Sequence, residues 1–178
     1  MSMLTKAYSR TFQYIMMNGQ KLLNYGVPML IQGPHSVTEL PAIIKKMNIN
    51  KVLIVAGKTI ARNGIMNDFL GALDAENVDY EIFDGAEPNP SIENIEDTCN
   101  AYKNSNCEGI VAFGGGSSMD CAKIGAARIT NPNITVEKMG GLLKVAKKIP
   151  PLFAIPTTAG TGSETTIAAV VTNKRDKH

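Results

Sequence analysis

Two stretches of this 178-residue chain carry residue types suited to a phosphorylated ligand. The first is Gly114-Gly115-Gly116-Ser117-Ser118-Met119-Asp120-Cys121-Ala122-Lys123. It is entered from the apolar run Gly109-Ile110-Val111-Ala112-Phe113 and left through a small-residue segment, Ser117 to Ile129. That order reads as a buried strand, a tight turn and a helix. Glycines let backbone N–H groups approach a ligand with no Cβ in the way. The helix start adds amides that lack an intrahelical acceptor, together with the positive end of the helix dipole, and both suit a phosphate. On this reading pyrophosphate oxygens rest on the N–H groups of Gly116, Ser117 and Ser118. A tight turn also needs glycine for geometry alone. With Ser117 as N-cap, Asp120 falls where a capping partner sits, and Lys123 could simply pair with Asp120. The turn is not a G-x-G-x-x-G fingerprint, because Met119 stands where the third glycine would be.

The second stretch is Pro156-Thr157-Thr158-Ala159-Gly160-Thr161-Gly162-Ser163-Glu164. The hydroxyls of Thr157, Thr158, Thr161 and Ser163 both donate and accept, which suits phosphate, ribose and adenine edges. A Ser/Thr-rich turn has the same composition. Two such loops on one sheet edge are more specific than either alone. A third position concerns cofactor choice. Dinucleotide sites that select NAD place an acid on the ribose 2′-OH. Here the run Val52–Ala56 ends in Gly57-Lys58, with no acid. Gly57 is either a turn residue or a position that tolerates a 2′-phosphate, with Lys58 as a cationic partner.

The elements that must place these residues alternate in type. Val52–Ala56 has no polar alternation, as in a parallel strand covered on both faces. Met29–Gln32, Asp79–Phe83, Gly109–Phe113 and Leu152–Ile155 read as further strands. Helical spacing runs from Ser36 or Thr38 to about Met47, from about Ile65 to Glu76, from Ser91 to about Lys103 and from Ser117 to Ile129. Residues 134–148 hold a short helix at best, and Thr166–Thr172 reads as a final β-rich run. The pattern predicts an α/β fold with a doubly wound, Rossmann-like parallel sheet. Ligands in such sheets sit outside the carboxyl ends of the strands, where loops 57–58, 84–91, 114–120 and 156–164 would gather. Residues 1–26 read as a helical N-terminal extension, and 27–178 as the dinucleotide-binding domain.

Composition excludes other classes. The apolar fraction is 44%, the charged fraction 19% and the formal net charge +2. That charge is too small to argue for nucleic acid or an anionic membrane. No apolar run approaches the roughly 20 residues of a membrane span. Cys99, Cys107 and Cys121 lack C-x-x-C spacing, so neither a disulfide framework nor a thiolate zinc site is indicated, and a reducing cytoplasm is the expected location. Lys144, Lys147 and Lys148 read as a solvated basic face.

Gly114-Gly115-Gly116-Ser117-x-x-Asp120-x-Ala122-Lys123 and the Pro156–Glu164 loop resemble the two signatures of the iron-containing (group III) alcohol dehydrogenases, and Pro88-Asn89-Pro90 matches as well. Tyr8-Ser9-Arg10-Thr11-Phe12-Gln13 looks like the helical extension of some members. The resemblance implies an NAD- or NADP-dependent oxidation of primary alcohols or diols and the reverse reduction. It assigns cofactor contacts to Gly115, Gly116, Ser117, Ser118, Met119 and Asp120, to Thr157, Thr158, Thr161 and Thr166, to Asn89, and to Gly57 at the position that commonly holds an NAD-selecting aspartate. It also implies Fe²⁺ or Zn²⁺, held by one aspartate and three histidines in a C-terminal helical domain. The two histidines, His35 and His178, form no such set, so the chain is expected to be the cofactor half without metal ligand or general base. A non-catalytic nucleotide-binding or interaction module, and a glycerol dehydrogenase-like relative, are the alternatives. The expected partner is a small alcohol or aldehyde, with no nucleic acid and no membrane. Homo-oligomers, or association through an exposed apolar β edge at Ile167–Val171, are expected too.

Overall fold

Val52, Leu53, Ile54 and Val55 are fully buried, and the rest of the fold is arranged around the strand they form. The computed structural model describes residues 28–141, 144–145, 147–166 and 168–173. The chain divides into two compact units, Met1–Leu30 and Ile31–His178. The helical reading of residues 1–26 lies outside the described residues.

In the second unit a 3₁₀ turn, Ser36–Glu39, runs into α1 (Leu40–Lys46). Then follow β1 (Lys51–Val55), α2 (Lys58–Arg62), α3 (Asn67–Ala75), β2 (Asp79–Phe83) and α4 (Ile92–Asn104). The chain continues through β3 (Gly109–Gly114), α5 (Gly116–Thr130), α6 (Val136–Met139) and β4 (Leu152–Pro156). Among the described residues the four strands form one parallel sheet in the order β2-β1-β3-β4.

Side chains alternate across a strand, and here both faces are covered. Val52 and Ile54 of β1, with Val111 and Phe113 of β3, join Ile44 of α1 and Phe69 and Leu73 of α3. Leu53, Val55, Ile110 and Ala112 face the other way, onto Ile95 and Cys99 of α4 and Met119, Ala122 and Ala126 of α5. This is the doubly wound arrangement that runs of strand residues without polar alternation predict. Small residues set the α4–α5 spacing: a Cβ on Gly125 would stand 3.1 Å from the Thr98 methyl.

Three expectations need correction. Residues 29–32 form no strand. Pro28 has no N–H to donate and Gly33-Pro34 ends the run, so too few residues remain to build a ladder. The five-residue α2 was not read from the sequence. The described part of 166–172 is not a strand either, apart from one bridge between Thr172 and Ser91. Its main-chain groups are taken elsewhere: the Val170 amide donates to the Asp120 carboxylate at 3.2 Å, and the Thr172 amide to the Pro90 carbonyl at 2.9 Å. Among the described residues the sheet edge on that side is β4, and the described part of Ile167–Val171 adds no strand to it.

Candidate functional site

The site follows from the strand order. From β1 the chain crosses to β2 on one side, and β3 then lies on the other side of β1. Loops leaving β1 and β3 therefore diverge and leave a crevice at the carboxyl ends of the strands, the usual ligand position in such sheets. A cleft of about 700 Å³ lies there, lined by Gly57 and Lys58 after β1, Asp84 to Pro88 after β2, Gly115 to Ser118 after β3 and Thr158 after β4. The four polar loops predicted to gather on one edge do so.

The turn after β3 is built by its glycines. Gly114 has φ +149°, a conformation side chains rarely adopt, and a Cβ there would stand 2.5 Å from Ser118 Oγ. Gly115 is extended and occupies the N-cap position, so α5 begins at Gly116. This corrects the expected cap at Ser117, which falls instead at the second helical position. The reversal at Gly114 admits the helix two residues early. Gly115 has no side chain to cap with, and the first intrahelical bond runs from Met119 N–H to the Gly115 carbonyl at 3.2 Å. The amides of Gly116, Ser117 and Ser118 have no acceptor within the helix. The neighbouring α4 differs, because Ser91 Oγ accepts from the Asn94 amide at 3.3 Å.

The hydroxyl loop leans on this turn. The Thr157 amide donates to the Gly114 carbonyl at 2.9 Å. A Cβ on Gly115 would stand 3.0 Å from Thr158 Oγ1, and one on Gly116 would stand 3.2 Å from Ser163 Oγ. The two stretches picked out by composition thus form one surface.

Charge is divided across the cleft. The lining acids Asp84, Glu87 and Asp97 belong to the loop after β2 and to α4, whereas the uncapped amides belong to the turn after β3. An anion is directed to the β3 side. Asp84 pairs with Arg62 at 3.5 Å, but both side chains are well exposed, so the pair contributes under about 1 kcal/mol. Gly57 faces the loop after β2, and a Cβ there would stand 3.3 Å from the Ala86 carbonyl.

Of the residues expected to hold a cofactor, the structure brings Gly57, Gly115, Gly116, Ser117, Ser118 and Thr158 to the cleft. Asn89, Met119, Asp120, Thr157, Thr161 and Thr166 do not line it. Met119 is buried in the core, and Asn89 is exposed at the loop apex with φ +53°. Thr161 lies within hydrogen-bond reach of Glu164 at 3.5 Å. Asp120 accepts from the Val170 amide, and Thr166 Oγ1 accepts from Lys123, so both take part in holding the segment after the hydroxyl loop against α5. Lys123 makes no ion pair with Asp120 and donates instead to the Ser163 carbonyl, to Thr166 Oγ1 and to the Ala168 carbonyl.

Thr59, Ile60, Asn94 and Asp97 also line the cleft and were missed, and Asn94 is the one that fixes a loop. Asn94 is 7% exposed, and its Nδ2 donates to the Gly85 carbonyl at 2.6 Å while its Oδ1 accepts from the Glu87 amide at 3.3 Å. It fastens the loop after β2 to α4. The signal was a polar residue beside Ile95 and four before Thr98, on the buried face of a helix otherwise capped and patterned conventionally.

The cysteines are chemically quiet. Burial, aided by nearby Glu96, pushes the Cys99 thiol from 9.0 up to about 12. Burial also raises Cys107 and Cys121 to about 11, against a Thr98 hydrogen bond that favours the Cys121 thiolate. At pH 8 the folded chain should therefore react with a thiol reagent far more slowly than the denatured chain, and equal rates would contradict the burial. The sign of the stability effect follows. Unfolded thiols ionise above about pH 9, while the folded ones stay protonated to about 11–12. Their contribution is complete below pH 9 and is lost as pH rises to 11–12, so the thermal midpoint should fall over that interval.

Among the described residues no group of three His, Cys, Asp or Glu side chains could hold a metal ion. No described helix is long and apolar enough to cross a membrane. Comparison with known proteins gives the site its context. Choline dehydrogenase of Bacillus subtilis is 34% identical over 158 residues, which is 87% of this chain and 39% of that protein. An iron-containing alcohol dehydrogenase structure from Thermotoga maritima superposes with a TM-score of 0.74 at 35% identity, covering 85% of this chain and 42% of that one. Sulfoacetaldehyde reductase from Bifidobacterium kashiwanohense, solved in complex with NAD⁺, gives a TM-score of 0.76 at 30% identity, over 85% and 40%. The chain spans about two fifths of the length of such relatives. The family model described as iron-containing alcohol dehydrogenase matches residues 28–178, the same span that carries the strand order, the glycine turn and the hydroxyl loop, and the chain belongs to that family.

Proposed function

We propose that this chain supplies the NAD(P)-binding part of a metal-dependent alcohol dehydrogenase acting on a primary alcohol or diol, or on the corresponding aldehyde. The observation that carries the reading is the uncapped start of the 15-residue α5, opening on the cleft where the strand order reverses. The turn fits a dinucleotide: Gly115, Gly116, Ser117 and Ser118 line the cleft, and the first three helical amides of α5 have no acceptor within the helix. The pyrophosphate is held by the N–H groups of Gly116, Ser117 and Ser118, at the positive end of the α5 dipole. Thr158 supplies a hydroxyl from the facing loop. The bound dinucleotide supplies the hydride acceptor or donor, and the protein's share is binding and orientation. The described residues offer no metal site.

Titrating the 178-residue chain with NADH and NADPH, following nicotinamide fluorescence, tests the proposal. Saturable binding supports it, and absence of binding to both sinks it. The cofactor preference has its own test. With glycine at position 57 the chain should accept NADPH as well as NADH. Gly57→Asp adds a carboxylate in the region proposed for the 2′-phosphate, at the cost of a small shift of the Ala86 carbonyl. The variant should lose affinity for NADPH by about tenfold or more relative to NADH. An unchanged ratio would place cofactor selection elsewhere in the cleft.

A further inference from the structure

Lys123 lies two turns into α5, away from the amides at its start. An ammonium has three N–H donors, and three acceptors meet this one. They are the Ser163 carbonyl, Thr166 Oγ1 at 3.0 Å and the Ala168 carbonyl at 3.2 Å. One turn earlier on the same helix, the Asp120 carboxylate accepts from the Val170 amide at 3.2 Å. Two side chains of one helix thus hold the polypeptide that leaves the hydroxyl loop. The described part of that polypeptide forms no strand ladder before the single bridge at Thr172.

The same loop is tied at its start, where the Thr157 amide reaches the Gly114 carbonyl at 2.9 Å. Between the two ties it leans on the glycine turn through Thr158 and Ser163. Ser163 belongs to both contacts: its hydroxyl faces Gly116 and its carbonyl accepts from Lys123. Lys123 is not needed for the apolar packing of α5, which Met119, Ala122 and Ala126 provide. Half-burial of its ammonium is unfavourable and lowers its proton affinity, with Asp120 and Glu164 acting in the opposite direction. Its three hydrogen bonds offset that cost.

We infer that Lys123 is a positioning residue for the dinucleotide site. Through Ser163 it holds the hydroxyl loop against the glycine turn, so cofactor affinity depends on a side chain that does not line the cleft. The inference rests on the proposed reading of the cleft as a dinucleotide site.

The test compares three variants of the full chain. Lys123→Met keeps the stem and removes the donors, and Lys123→Arg keeps charge and donors. Lys45→Met is a control, because Lys45 also ties loops together, bonding Asn50 Oδ1 at 3.1 Å and the Asn77 carbonyl at 3.0 Å, but at the opposite edge of the sheet. Lys123→Met should weaken NAD(P)H binding by about tenfold or more. Lys123→Arg should recover most of that loss, and Lys45→Met should leave affinity unchanged while lowering the thermal midpoint. Amide exchange over residues 163–166 and 168–170 should rise in Lys123→Met with or without ligand. Wild-type affinity in Lys123→Met, or equal losses in it and Lys45→Met, would overturn the role of Lys123 and leave the cleft reading intact. A wild-type chain that binds neither dinucleotide would overturn the cleft reading and the inference with it.

Discussion

Gly116→Asp will weaken binding of NADH and NADPH by about a hundredfold or more, yet leave the thermal midpoint unchanged or slightly higher. The two effects separate because residue 116 is the first helical residue of α5. A carboxylate at that place interacts favourably with the helix dipole, by about 0.3–1 kcal/mol. The steric cost is small, since the new Cβ would meet a movable hydroxyl, Ser163 Oγ, at 3.2 Å. The carboxylate would then stand among the amides proposed for the pyrophosphate. At about 4 Å, with an effective dielectric near 20, two like charges repel by about 4 kcal/mol. Even partial relaxation leaves the loss near a hundredfold, at about 1.4 kcal/mol per factor of ten. Fluorescence titration and thermal melting of the same preparation measure both quantities. Undiminished binding would mean that the phosphates do not sit at the start of α5.

The second large effect concerns stability. Asn94→Leu preserves volume roughly but removes the donor to the Gly85 carbonyl and the acceptor for the Glu87 amide. It also removes the acceptor at 3.5 Å from the Cys121 thiol. Leaving buried polar groups without these partners costs about 1–3 kcal/mol each, and the total here should be about 2–4 kcal/mol because the loop is half-exposed and water can reach part of it. For a chain of this size that is a fall of roughly 5–15 °C in the thermal midpoint. The loop after β2 also lines the cleft, so dinucleotide affinity should fall with it. A variant that melts with the wild type would show that Gly85 and Glu87 are held by other means.

These two residues mark how far the sequence could be read. Residue 116 was legible, because three glycines between an apolar run and a helical pattern have few uses. β1 and β3 were legible for a related reason: burial on both faces removes polar alternation and leaves unbroken apolar runs. The start of α4 was announced by Ser91. Asn94 was not picked out, because a polar residue inside a helix reads as solvent-facing until the loop packed on it is known. The register of the cap was missed by two residues, since the sequence does not state that Gly114 takes a positive φ. Thr166–Thr172 has strand composition, and its described residues form no strand. Its hydrogen-bond partners are decided by Asp120 and Lys123, more than forty residues away, and no local pattern encodes that. The short α2 lacks a helical apolar period, so its existence depends on the turn at Gly57 rather than on its own residues.

The central place of β1 also governs how the chain is made. Both of its hydrogen-bonding neighbours are synthesised after it, β2 about 25 residues later and β3 about 55. At about 5–20 residues per second, the last of these partners emerges roughly 3–11 s after β1 itself. For that interval the edge of β1 that β3 will pair is open, and its Leu53/Val55 face still lacks the α5 residues that cover it. Newly made chains will therefore be most prone to chaperone capture and aggregation before Gly109–Gly114 has been added, and mutations that delay β3 will reduce soluble yield even where the finished fold is equally stable.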